Sequence, residues 1–411
     1  MLGFGDIALI LLGVIAFAAL SRRLETSMVT LPMVFAAFGW LIGQGGAELV
    51  PMHAEHEIIH TIAEITLILV LFADASRVDL RALRSHYAIP ARMLLVGMPL
   101  TILLGTLLAH WVTPDASWAV ALLVAAILTP TDAALGQTVV TSPAIPPRLR
   151  QGINVESGLN DGLALPVVMI AAIISAQGTG TVVEGVPDNV VVFALMQVVL
   201  GPLAGVVIGY LFARMLDAAI NARFITTPFQ GIYFLATAFL AFVAAELAGG
   251  NGLIAAFVGG LVFGHTLRSS TTFISEFMEG EGQLLTMFTF LIFGAVMVPL
   301  GIEHVTWKTV VLAIAYLSVI RVLPVWLSLA GSGLSSYEKI FLGWFGPRGL
   351  ASILFALLIL ERFAIPGGDE ILSCVVLTVM LSIVLHGVSA NPMAGRFAQR
   401  TGLARPSSEN P

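Results

Sequence analysis

Thirteen stretches of this chain are apolar for long enough to cross a lipid hydrocarbon core as a helix, and that pattern removes most folds from consideration. In hydrocarbon every backbone N–H and C=O must be paired within its own segment, so runs of this length take the helical form. They cover about 5–20, 28–44, 57–75, 88–111, 117–140, 150–176, 189–216, 228–248, 252–267, 273–299, 305–330, 336–360 and 370–390. The ninth is short and follows Gly249-Gly250-Asn251-Gly252, where spans could merge or split. The first lacks a basic leader and a cleavage site, so it is read as a retained helix. With 58% hydrophobic and 11% charged residues and a mean hydropathy of +0.97, the chain could not keep a water-facing surface. It is read as an all-α polytopic membrane protein whose immediate partner is the bilayer.

The basic residues orient it. Arg22, Arg23, Arg77, Arg81, Arg84, Arg92, Arg148, Arg150, Arg214, Arg223, Arg268, Lys339, Arg396, Arg400 and Arg405 fall on one side of the expected topology, while Lys308 and Arg362 lie on the other. The positive-inside rule then puts the N-terminus outside and the C-terminus in the cytoplasm, in an inner (plasma) membrane. Residues 392–411 are read as a short cytoplasmic tail, too short to fold as a regulatory domain. No basic run points to nucleic acid, no cofactor is expected, and the single Cys374 excludes a disulfide framework.

Two spans are interrupted. The fifth holds Leu128-Thr129-Pro130-Thr131-Asp132, and the twelfth holds Gly343-Trp344-Phe345-Gly346-Pro347-Arg348-Gly349. Proline removes a backbone donor at mid-span, which is tolerated where the freed groups face protein or a water-filled cavity. Spans four to six and eleven to thirteen align as three-helix units, each broken at its middle helix. Seven spans separate the two breaks, so the units run in opposite directions, the sign of a transporter with inverted repeats. Half-helix N-termini are partly positive and C-termini partly negative, so Asp132 suits the former and Arg348 the latter. Reading both prolines as ordinary kinks leaves these charges unexplained.

The sixth span carries Glu156-Ser157-Gly158-Leu159-Asn160-Asp161-Gly162. An intramembrane carboxylate is costly and marks a functional site. Ser157 and Asp161 share one face, with Glu156 and Asn160 on the adjacent stripe. Oxygen ligands suit a small hard cation, and Asp161 can hold a proton or such a cation but not both comfortably. Alternate exposure of that one carboxylate to each side amounts to an exchange mechanism. Glu156 needs a partner, and Arg321 in the eleventh span is the candidate, as a structural ion pair. The alternative, Arg321 with Asp161, would make Asp161 a poor cation ligand.

Thr129-Pro130-Thr131-Asp132, Glu156 to Asp161, the Arg321 segment and Gly346-Pro347-Arg348-Gly349, in that order, resemble the NhaP type of sodium/proton antiporter, related to sodium/hydrogen exchangers. The resemblance implies a thirteen-helix protomer with a moving core formed by 88–176 and 300–391. A dimerisation domain would be formed by 1–87 and 177–299, giving a homodimer. It also implies cation ligands at Asp161, Ser157 and Thr131, Asp132 acting through water, and transported Na+ or Li+ against H+. Asn160 in place of a second Asp resembles the electroneutral branch, exchanging one cation for one proton.

One departure stands out. Asp74, in Phe72-Ala73-Asp74-Ala75, lies where a Glu is expected near the third helix end; it reaches less far and is equally readable as an interfacial acid paired with Arg77. Glu64 and Glu246 are read as funnel lining or interhelical hydrogen bonding. Glu276, Glu279 and Glu281 are read as a solvated helix end, and His53, His56 and His60 as wet-loop histidines. The chain is not expected to be an enzyme. K+/H+ exchange is the alternative within the mechanism; a cation channel, or a membrane hydrolase using Ser157 with His386 or Asp132, is a distant one.

Overall fold

The computed structural model describes residues 3–25, 29–50, 57–78, 88–132, 135, 139, 142, 145–177, 190–269, 272–363 and 365–401. Helices account for the regular structure, and no strand occurs among the described residues. Each expected span has its helix: α1 Phe4–Glu25, α2 Leu31–Ile42, α3 Glu57–Ser76, α4 Ala88–Val112, α5 Trp118–Ile127, α6 Pro147–Gln177, α7 Val190–Asn221, α8 Thr227–Leu247 and α9 Gly252–Thr266. The tenth, α10, runs from Thr272–Ile292 through Phe293–Met297 to Val298–Glu303. The eleventh is α11a Trp307–Leu317 and α11b Val319–Ser328, the twelfth α12a Ser336–Trp344 and α12b Leu350–Arg362, and the last α13 Gly368–Thr401. Among the described residues eight helices are long and apolar enough to cross a membrane, which marks an integral membrane protein.

Side chains at the helix starts explain several boundaries. Ser117 accepts from the Val120 amide at 3.2 Å and Asn251 from the Ile254 amide at 3.0 Å. Thr306 and Ser335 form capping boxes with Thr309 and Glu338. Leu11, Leu12 and Ile15 on α1 and Val199, Leu203 and Val206 on α7 lie exposed, as lipid-facing positions should. Buried Phe72 of α3 stacks edge-on against Phe234 of α8, at 4.9 Å between ring centres, tying α3 to the helices around it.

Three features depart from the sequence reading. First, the eleventh span is not continuous: at Ser318 (φ −118, ψ −96) the helix breaks, and the Ser318 hydroxyl donates to the Ile314 carbonyl at 2.6 Å. Such back-bonding competes with the backbone ladder. Second, α13 does not end with the thirteenth expected span near 390 but continues to Thr401. Its apolar spacing persists at Ala390, Ala394 and Phe397, and Phe397 packs on Tyr337 and Phe341 with ring centres 5.6 and 5.0 Å away. Third, α4 and α10 each contain a π-turn just before a proline. The Met98 amide reaches back five residues to Met93, and Val298 to Phe293, ahead of Pro99 and Pro299.

Candidate cation and proton site

The site is built on backbone that cannot stay helical. Helix α5 ends at Ile127, before Thr129-Pro130, and α12a ends at Trp344, before Gly346-Pro347. The two unwound segments cross and bond directly: the Asp132 amide donates to the Pro347 carbonyl at 2.8 Å. Across the same crossing Ser352 donates to the Ile127 carbonyl at 2.8 Å.

Charges cap the cut ends according to the sign of each end. The Asp132 carboxylate accepts from the Leu350 amide, the first of α12b, at 3.0 Å. Arg348, fully buried, donates from Nη1 to the Thr129 carbonyl at 2.6 Å and the Pro130 carbonyl at 3.2 Å, where α5 has ended. Close approach explains two glycines. A Cβ at Gly349 would overlap the Asp132 carboxylate, and one at Gly346 would overlap the Arg321 guanidinium.

Helix α6 docks onto this crossing through two of its polar residues. Ser157 donates to the Thr131 carbonyl and the Asn160 amide donates to the Thr131 hydroxyl, each at 2.6 Å. Asp161, next along the helix, has Oδ1 buried and without a hydrogen-bond partner. It lies within electrostatic reach of Asp132 and Asp74. Thus Ser157, Asn160, Asp161, Thr131 and Asp132 converge, and Asp74 sits at their edge. Asp74 is also 4.0 Å from Arg77, three residues along the chain, with both side chains part-exposed.

Glu156 faces elsewhere. Arg321 grips it with two parallel contacts, 2.5 Å from Nη1 to Oε1 and 2.6 Å from Nη2 to Oε2, with both side chains 2% exposed. Arg321 therefore pairs with Glu156 and not with Asp161. Among the described residues no three His, Cys, Asp or Glu side chains gather as a metal site. The oxygens gathered here are a carboxylate, hydroxyls and unwound carbonyls, the donor type that hard cations prefer, and the carbonyls of Thr129, Pro130, Thr131 and Pro347 each already accept a hydrogen bond.

The remaining candidates lie apart. Glu64 is exposed on α3, and Glu246 accepts from the Gly252 amide at 2.8 Å, bonding α8 to the start of α9. His53 and His56 lie outside the described residues, as do the side chains of His60, Glu276, Glu279 and Glu281. His386 contacts Trp344 and Ser382, not Ser157. The sequence reading missed Ser382 and His386 as part of this architecture; their i, i+4 spacing inside an apolar span was the signal available.

The fold is shared with known proteins. The sodium proton antiporter MjNhaP1 from Methanocaldococcus jannaschii, at pH 8, superposes with a TM-score of 0.77 at 20% identity, covering 96% of this chain and 98% of that one. A K(+)/H(+) antiporter NhaP from Alkalimonas amylolytica is 24% identical over 95% of this chain and 66% of its own length. A K(+)/H(+) antiporter NhaP2 from Shewanella sp. (strain ANA-3) is 23% identical over 88% and 62%. The chain thus spans under two thirds of the length of these two curated relatives. A Na(+)/H(+) antiporter NhaH from Halobacillus dabanensis is 29% identical over 71% of this chain and 72% of its own. The profile described as "Sodium/hydrogen exchanger, transmembrane" matches residues 7–395, and the chain belongs to that family.

Proposed function

We propose that this protein is a secondary antiporter that exchanges a monovalent cation for a proton by alternating access, with both ions competing for Asp161. The observation that carries the reading is the buried, unpartnered Oδ1 of Asp161 beside two unwound segments. A buried acceptor without a donor is unfavourable unless a proton or a cation completes it. Ser157 and Thr131 supply further oxygens once their present hydrogen bonds rearrange, and Asp132 stands by at the crossing. Asn160 offers an amide that does not ionise, which supports one cation per proton and no net charge movement.

Sodium, with lithium accepted, is the first reading. Potassium is the second, favoured by the K(+)/H(+) names of two relatives. The asymmetry of Lys and Arg supports an external N-terminus in an inner membrane. We read 88–176 with 300–391 as the moving core, and 1–87 with 177–299 as the domain through which two copies pair.

Reconstituted vesicles with a preset pH gradient test the exchange. Addition of Na+, Li+ or K+ should collapse the gradient, at a rate unchanged when the membrane voltage is clamped. Cation flux without proton movement refutes exchange, and a current proportional to turnover refutes the one-for-one ratio.

A further inference from the structure

The break in the twelfth helix is closed from outside by one turn of α13. In an unbroken helix the Arg348 amide would donate to the Trp344 carbonyl, four residues back. Here the Arg348 amide donates instead to the Ser382 hydroxyl at 2.7 Å, and the Trp344 carbonyl receives His386 Nε2 at 2.9 Å. Ser382 and His386 lie four residues apart on one face of α13, both fully buried. Nδ1 of His386 is 3.2 Å from the Ser382 hydroxyl and 2.9 Å from the Ser382 carbonyl. A carbonyl can only accept, so Nε2 carries a proton whichever way Nδ1 is occupied. The run of hydrogen-bonding contacts from the Arg348 amide to Ser382, through the ring, to Trp344 spans the two backbone groups that the break separates.

We infer that Ser382 and His386 are positioning residues that act as an external splice across the broken helix, setting where Pro347 and Arg348 stand and thereby the cation site. The splice reaches the site in three further steps. Pro347 accepts from the Asp132 amide, Arg348 holds the Thr129 and Pro130 carbonyls, and Thr131 between them is bonded by Ser157 and Asn160. Groups preorganised in this way bind more tightly, because less freedom is lost on binding. The indole of Trp344 adds a second tie to the same helix, donating to Ser389 at 3.0 Å. The inference rests on the antiport reading for its consequence in transport, and on geometry alone for the splice.

Two measurements on the full chain in vesicles separate these. Hydrogen exchange at the amides of Phe345, Gly346, Arg348 and Gly349 reads the splice directly, and apparent cation KM against maximal rate reads its effect on the site. His386→Leu and Ser382→Ala should each speed exchange at those amides roughly tenfold and raise KM by a similar factor, from the loss of one buried hydrogen bond. Maximal rate should change little, and His386→Gln, which keeps a donor for Trp344, should restore both readouts toward the parent. Unchanged protection at those amides in both His386→Leu and Ser382→Ala overturns the splice. Lost protection with an unchanged KM overturns the positioning role, since a purely structural contact would do that. Should the parent protein exchange no ions, the antiport reading fails while the amide protection still decides the splice.

Discussion

Glu156 and Asp161 are two carboxylates on one helix, five residues and roughly 140° apart around its axis, and the chain treats them in opposite ways. Glu156 is gripped at both oxygens by Arg321 and sealed from solvent. Asp161 keeps a buried oxygen without a partner. The pair is a lock: removing either member would strand a charge in a low-dielectric interior. The unpaired acid can change its occupant, as an exchange site must. A functional carboxylate in a membrane is thus distinguished less by its burial than by what the fold withholds from it.

The largest effect expected from breaking this contrast is on transport. Asp161→Asn keeps size and hydrogen bonding but removes the titrating, charge-bearing group, so cation-driven proton movement should fall to the protein-free background while the protein stays folded. Exchange at the parent rate, measured by a pH-indicating dye in vesicles, would reassign the site.

The lock should fail differently. Glu156→Gln or Arg321→Leu leaves one buried charge uncompensated, at a cost of about 3–5 kcal/mol in stability. Thermal unfolding in detergent measures this, and exchanging the two residues should recover part of the loss. Independent, additive effects of the two single replacements would dismiss the pair as a unit.

A smaller effect belongs to the seam between the two regions. Gly349→Ala places a methyl group where the Asp132 carboxylate lies, and overpacking of this kind costs about 1–3 kcal/mol. The bond from the Leu350 amide to Asp132 should loosen, and cation affinity should weaken by about tenfold. Parental affinity in this variant would mean that Asp132 does not hold the crossing.

What could be read from the sequence follows a physical division. The polar and charged residues beside each mid-span proline, Thr131-Asp132 after Pro130 and Arg348 after Pro347, made both interruptions and their complement to the cut ends legible, whereas Pro166 and Pro202 lack such neighbours and stay inside continuous helices. Glu156 and Arg321 could be matched because each would be untenable alone. Features decided by partners distant in sequence were not legible. The break at Ser318 coincides with a hydroxyl bonded to the carbonyl four residues back, a bond that Ser175 and Thr237 also make in unbroken helices, so nothing in composition flags it. The run of α13 to Thr401 depends on Tyr337 and Phe341 being there to receive Phe397. Ser382 and His386 read as scattered polar residues until α12a and α13 lie side by side.

The central claim is that a proton and a cation take turns on the Asp161 carboxylate, and apparent cation KM across pH tests it most directly. Competition for one site requires KM to rise as pH falls, by about tenfold per pH unit once Asp161 is mostly protonated, and to level off at higher pH, with maximal rate at saturating cation preserved. A KM that stays constant while maximal rate falls with acid would place the proton elsewhere and contradict the account.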